Sequence, residues 1–181
     1  MQTFHFKLPV TTFSSKRIEL LNQNNEICGT FRRFFKNFLQ KVLCTLPLVD
    51  KLFDRKDMRG KLSSSEIAIN ERSFRENLIK MKWDVKVNDD NSEETLLLED
   101  LSKVSTNQCF LYHKGERAIL FKRDVLSRKT VDCFHDTGEV ITEIRTKKMV
   151  PKTLEFTLNS DTINQVEVAA IFYTICLTYN K

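Results

Sequence analysis

The chain has 181 residues, 41% of them hydrophobic and 29% charged, and its 29 Lys and Arg against 24 Asp and Glu give a net charge of +5. That balance is ordinary for a soluble globular protein and fits one domain, or one domain with an appendage, with a substantial core. The charge excess permits anionic partners without requiring them, so only local clusters of charge are informative.

Taken in order, residues 3–8 alternate Phe4, Phe6 and Leu8 with Thr3, His5 and Lys7 before Pro9, which predicts a half-buried strand. Residues 17–21 and 26–31 predict two more strands, joined by Asn22-Gln23-Asn24-Asn25, a run that tolerates left-handed turn conformations. Over residues 31–46 the period changes. Phe31, Phe34, Phe35, Phe38, Leu39, Val42 and Leu46 share one helical face, with Arg32, Arg33, Lys36, Asn37 and Gln40 on the other. An amphipathic helix is expected there, stopped by Pro47 and followed by an apolar continuation through Leu48, Val49, Leu52 and Phe53. The polar stretch 54–65 reads as a mobile surface loop, which makes 31–62 a helical insertion.

Strands resume at 66–70 and in the clear alternation of Ile79, Met81, Trp83, Val85 and Val87 with Lys80, Lys82, Asp84 and Lys86. After the turn Asn88-Asp89-Asp90-Asn91 come 95–101, 109–113 and 116–123, the last two hinged at Lys114-Gly115. A hairpin of 130–134 and 139–147 turns at Asp136-Thr137-Gly138, and 153–158 alternates once more. The hairpin around Ile18-Glu19 and Glu26-Ile27 matches the one around Val131-Asp132 and Glu139-Val140 in pattern.

The last segment, 161–179, is of a different kind. Asp161 is a plausible N-cap, and Glu167 the last charge before a run in which Ala169, Ala170, Ile171, Phe172, Ile175, Cys176 and Leu177 point in nearly every direction of a helix. A helix apolar on all sides must be buried on all sides. The run is roughly a dozen residues, short of the ~18 to 20 that span a bilayer, so protein is expected to enclose it. About ten to twelve short strands joined by tight turns point to an antiparallel barrel or sandwich, and a barrel closed around the helix buries it and leaves few raw edges.

The terminal Val166-Glu167-Val168-Ala169-Ala170-Ile171-Phe172-Tyr173 helix and the repeated hairpins with acidic or Asn-rich turns resemble the tubby carboxyl-terminal domain. That architecture is shared by the plant LURP-one-related proteins, the phospholipid scramblases and small bacterial relatives, and the chain looks closest to the bacterial single-domain members. The resemblance implies a mostly β fold, a closed antiparallel barrel of about twelve strands around the buried helix, non-enzymatic and acting as a binding or scaffold module. It also adds weight to lipid binding, because animal members hold phosphoinositide headgroups through basic residues.

The basic segment at 31–46 is the candidate lipid-binding site, with Arg32, Arg33, Phe34, Phe35, Lys36, Phe38 and Lys41 arranged so that phenylalanines enter an interface and cations face anionic headgroups. A second reading packs the phenylalanine face on the barrel and leaves the arginines in water, and a third uses the apolar face to hold a protein partner. Lys147, Lys148 and Lys152 around Pro151 form a second basic cluster; Lys80, Lys82 and Lys86 form a third, read as a solvated strand face. Five cysteines, Cys28, Cys44, Cys109, Cys133 and Cys176, with no CxxC pair, exclude a disulfide framework and predict free thiols. Cys133 with His135, and Cys109 with His113, are read as core or surface residues in place of metal ligands, and neither metal nor cofactor is expected. Four scattered glycines give no phosphate loop, and neither a GxSxG elbow nor an HExxH helix is present, so no enzyme is expected. Nucleic acid is not expected, because the aromatics occupy inward, alternating positions, and a filled barrel axis leaves little room for a carried ligand. The first residues lack the basic start and apolar run of a signal peptide, from which a cytoplasmic protein is expected, peripheral to the inner face of a membrane on the lipid reading.

Overall fold

Alternating apolar residues become twelve strands in the computed structural model, which describes residues 2–46, 54–63, 65–89, 92–124, 129–135 and 137–179. Pro47, Leu48, Val49, Leu52 and Phe53, and Asp90, Asn91 and Asp136 of two expected turns, lie outside these residues. The strands are β1 (Gln2–Lys7), β2 (Ile18–Asn22), β3 (Ile27–Phe34), β4 (Asp57–Leu62), β5 (Ser65–Glu71), β6 (Lys82–Asp89), β7 (Ser92–Asp100), β8 (Asn107–Lys114), β9 (Arg117–Asp124), β10 (Lys129–His135), β11 (Val140–Met149) and β12 (Lys152–Leu158). Each pairs antiparallel with its sequence neighbours, and β1 closes the barrel on β12 with Phe4 opposite Phe156 and Phe6 opposite Leu154. Two helices complete the fold, α1 (Phe38–Leu43) and α2 (Gln165–Tyr179).

Helix α2 threads the barrel, and from Val166 through Leu177 every residue is buried. The expectation that strands must wrap this helix is met: Phe172 and Ile175 are both 0% exposed. Around it, Phe6 packs edge-on against Phe31 and Phe172, Phe31 meets Tyr173, and Phe110 packs between Trp83 and Tyr179. Such tilted and edge-on pairs are the arrangements that ring quadrupoles favour.

The helix starts on a capping box, and its cap is Asn164 rather than Asp161. The Asn164 side chain accepts from the Glu167 N–H at 2.8 Å, and the Glu167 carboxylate accepts from the Asn164 N–H at 2.9 Å. Glu167 itself is fully buried, held by the Tyr112 hydroxyl at 2.8 Å and by the Lys114 ammonium at 2.7 Å. A carboxylate can remain at the dry mouth of the barrel because every oxygen is met by a donor. Burial, then the neighbouring Glu167 charge, pushes the Tyr112 phenol far upward, so it remains a donor.

Three further boundaries differ from the sequence reading. The helix expected over 31–46 is strand β3 as far as Phe34, and only Phe38–Leu43 is helical. The expected loop at 54–65 contains β4, so the span taken as an insertion includes a strand of the barrel wall. Strand β6 starts at Lys82, leaving Ile79 outside the sheet.

Strands β3 and β4 approach the start of α2 so closely that two glycines are required. A Cβ on Gly29 would lie 2.4 Å from Val166, and one on Gly60 would lie 2.7 Å from Val166 and 2.6 Å from Ile67. Overpacking of this kind costs about 1–3 kcal/mol. Gly60→Ala is therefore expected to lower stability by that amount in denaturant unfolding. Combining it with Val166→Ala should cost less than the two single losses added, by about 1 kcal/mol of coupling. Strict additivity would show that the close approach does not limit packing here.

Candidate functional site

Because consecutive strands are neighbours and antiparallel, the connections alternate between the two ends of the barrel. At the end where α2 enters, β2–β3, β4–β5, β6–β7, β8–β9 and β10–β11 are joined by short turns. At the other end, where Tyr179 donates to Asp100 at 2.5 Å, four connections are longer, 8–17, 35–56, 72–81 and 101–106, while β11 and β12 are joined by a tight turn at 150–151. The exposed large apolar residues gather at this second end. Val10, Phe38, Leu39, Val42, Leu46, Phe74, Leu78, Ile79, Val104 and Val150 belong to its connections and Met149 ends β11 there, and of those described only Ile27 and Val140 lie elsewhere. A concentration of this kind on one face is the pattern found at interaction surfaces.

Helix α1 shows the same feature locally. Asn37 caps it by accepting from the Gln40 N–H at 2.7 Å. The polar Gln40 faces inward, its side-chain oxygen accepting from the Lys36 N–H at 2.8 Å, and Cys44 beyond it is fully buried. Phe38, Leu39 and Val42 face outward, with Phe38 80% exposed, and Leu46 is exposed just past the helix. The helix is amphipathic as expected, but with its apolar stripe toward solvent.

What anchors this end is a buried polar network around Arg33. Its guanidinium donates to the Thr12 carbonyl at 2.6 Å, to the Asp54 carboxylate and to the Arg55 carbonyl at 3.0 Å, and it stacks 4.7 Å from the centre of the Phe35 ring. Lys56 reaches the Asp54 carbonyl at 2.6 Å, while its backbone N–H donates to Glu71 at 2.7 Å. Asp57 in turn accepts from the Glu71 N–H at 2.8 Å. Arg33 thus ties the 8–17 connection to the chain entering β4.

The cations expected to meet headgroups are divided by this arrangement. Arg33 is 1% exposed and serves as the tie just described, so it is not a surface cation. Phe34 lies beneath Arg59, 4.5 Å from the guanidinium, and Phe35 beneath Arg33. Lys36 and Lys41 stay at the surface beside α1, Lys41 within 3.2 Å of the Ser15 hydroxyl. Across the same end, the β11–β12 turn brings Lys148 and Lys152, while Lys147 pairs with Glu155 at 2.5 Å. Two clusters distant in sequence therefore share one end of the barrel. Arg32 points instead to the outer wall, where Arg17, Arg32, Arg59 and Lys61 line a groove of about 530 Å³. Asn70 accepts from Arg59 there at 2.9 Å, and Glu66 lies 3.3 Å from Lys61.

A family model described as the Tubby C-terminal like domain matches residues 4–179. The chain belongs to that family. No curated protein and no solved structure matches it. In this tubby-like domain the strand lysines are countered across the sheet, Lys82 by Glu99 at 2.7 Å and Lys86 by Glu93 at 3.5 Å. Cys133 is buried, and His135 lies by Ser160 at 3.4 Å; among the described residues no three His, Cys, Asp or Glu side chains gather as metal ligands. No helix among them is long and apolar enough to cross a membrane.

Sequence reasoning missed the Arg33, Asp54, Lys56, Glu71 network of this tubby-like domain and the connections at 8–17 and 72–81 as carriers of surface apolar groups. The signal for the latter was available in Phe74, Leu78 and Ile79, three large apolar residues within a polar stretch.

Removing one partner of a buried pair strands the other. Arg33→Met is expected to lower unfolding stability by about 3 kcal/mol, read by denaturant titration; a loss within experimental error would show that the network is dispensable. Burial raises the Glu71 carboxyl above its ordinary value, against the pull of Lys56. A carboxyl raised in this way binds more protons folded than unfolded, so its contribution weakens as pH rises through the window between the two pKa values. Glu71→Gln keeps an oxygen for the Lys56 N–H. It should melt higher than the parent near neutral pH, with the difference vanishing below the ordinary glutamate range; a variant melting lower near neutrality would contradict this.

Proposed function

We propose that this domain is a non-catalytic binding module that docks reversibly on anionic membrane, at the inner face, with the end of the barrel bearing α1 turned to the lipid. The observation that carries this reading is the orientation of α1, which buries Gln40 and presents Phe38, Leu39 and Val42 outward, with Leu46 exposed just beyond it. An apolar stripe flanked by cations is the arrangement of interfacial helices, in which apolar side chains enter the boundary between headgroups and chains. Lys36 and Lys41 flank it, and Lys148 and Lys152 stand on the neighbouring turn at the same end. Membership of the tubby-like family, whose fold is a binding fold, agrees with this role. Each basic side chain near an anionic surface contributes about 1 kcal/mol, so several cations together with an apolar helix give binding that salt weakens.

Co-sedimentation with vesicles tests the reading. The protein should pellet with phosphatidylserine-containing vesicles at physiological salt and remain in the supernatant with pure phosphatidylcholine. Reversing Lys36 and Lys41 together to glutamate should reduce the partition at least about tenfold, and Phe38→Asp with Leu39→Asp should abolish it while far-UV circular dichroism is unchanged. Absence of binding to anionic vesicles would leave the apolar stripe to a protein partner. A larger effect from Arg32→Glu than from the lysine reversals would move the contact to the outer wall.

A further inference from the structure

The groove of about 530 Å³ on the outer wall is built around a row of arginines. Arg32 of β3 lies directly opposite Arg59 of β4, and Arg17, one residue before the Ile18 that faces Phe31, carries the row on toward β2. Lys61 follows two residues along β4 from Arg59 and so shares its face. Beyond Arg59 the row reaches Ala68, too small to fill the space, and the cations stand around a hollow floored by Ala68 and Thr30. Like charges set opposite each other weaken a sheet. Glu66, the acidic side chain among those lining the groove, lies by Lys61, and Arg17 and Arg32 make no ion pair among the described residues. The row is therefore short of negative charge.

The chain carries the counterpart on the same molecule. Asp89 ends β6, Glu93 and Glu94 lie at the start of β7, and all three are exposed. Strand β8 pairs with β7 only from Leu97 onward, so residues 92–96 have β6 alone as partner and form with its end an acidic ribbon standing past the β8–β9 turn. Among the described residues only Glu93 of these carboxylates has an ion pair, with Lys86 at 3.5 Å, and so exposed a pair contributes little. Within one copy the two halves do not meet, since Arg32 on β3 and Glu93 on β7 are four strand spacings apart, about 19 Å at ~4.8 Å each. We infer that two copies of this chain associate, the acidic ribbon of each seated in the arginine groove of the other. Guanidinium forks take carboxylates in bidentate pairs, which suits the row to this occupant. Because each copy bears both halves, a two-fold arrangement makes the contact twice and closes. The surfaces lie on the wall and at the entry end, away from α1, so the inference does not rest on membrane docking.

Sedimentation velocity of the full chain in lipid-free buffer tests the assignment. A dimer is expected at low salt, with its dissociation constant raised at least about tenfold at about 0.5 M salt. Arg17→Glu with Arg32→Glu, and separately Glu93→Lys with Glu94→Lys, should each sediment as a monomer while far-UV circular dichroism is unchanged. An equal mixture of the two double variants should dimerise again, because the reversed groove of one then faces the reversed ribbon of the other and the remaining contact is the native one. A monomer at every concentration up to about 100 μM, a dimer that survives either double reversal, or a mixture that stays monomeric would each overturn the proposal. The assay contains no lipid, so its result and that of vesicle co-sedimentation are independent.

Discussion

A helix with no polar side has to be enclosed, and the architecture of this protein follows from that requirement. Twelve residues from Val166 to Leu177 are buried without interruption, and no flat sheet covers a helix on all sides. Closing the sheet through β1 and β12 does so, and the same closure removes the unpaired strand edges that an open sheet of this size exposes. The enclosure is tight enough to set sequence constraints on the wall, as Gly29 and Gly60 make room for Val166.

Enclosing a helix leaves its two ends to be dealt with, and they are treated differently. The entry end is sealed by Glu167 with Lys114 and Tyr112, a charge kept dry because donors surround it. The exit end is built from long connections tied together through Arg33, Asp54, Lys56 and Glu71. With polar groups consumed in holding these connections from within, their apolar side chains are left outside, among them Phe38, Phe74 and Ile79. Short turns on one side and a tied, greasy crown on the other give the barrel a polarity along its axis.

Much of this architecture could be read from the residues. Alternation placed β1, β6 and β12, where one face is core and the other water, and the apolar circumference of α2 called for a barrel. The misreadings have physical origins. Phe31 and Arg33 are two apart and both inward in β3, but together with Phe34 and Phe38 they also fit a helical stripe, and a short window does not separate the two periods. Strand β4, Asp-Met-Arg-Gly-Lys-Leu, looks like a loop because Gly60 answers to the backbone's approach to Val166 and Asp57 is buried in a network that no local pattern reveals. Asn164 and Asp161 are both good caps, and only the reciprocal bond to Glu167 selects Asn164. The crown was the least legible part, since its members come from connections far apart in the chain and meet only through topology.

The pairing of β1 with β12 also governs the timing of assembly. Gln2 must wait for Leu158, and the helix that fills the interior is made later still. During synthesis the ribosome therefore holds out a growing, unclosed sheet with no filling, its apolar face uncovered until α2 emerges. Contacts of such sequence separation form slowly, and intermediates with bare strand edges aggregate readily. A nascent chain of this kind is a natural client for chaperones, and a chain lacking residues 165–179 would be a shell with nothing to close around.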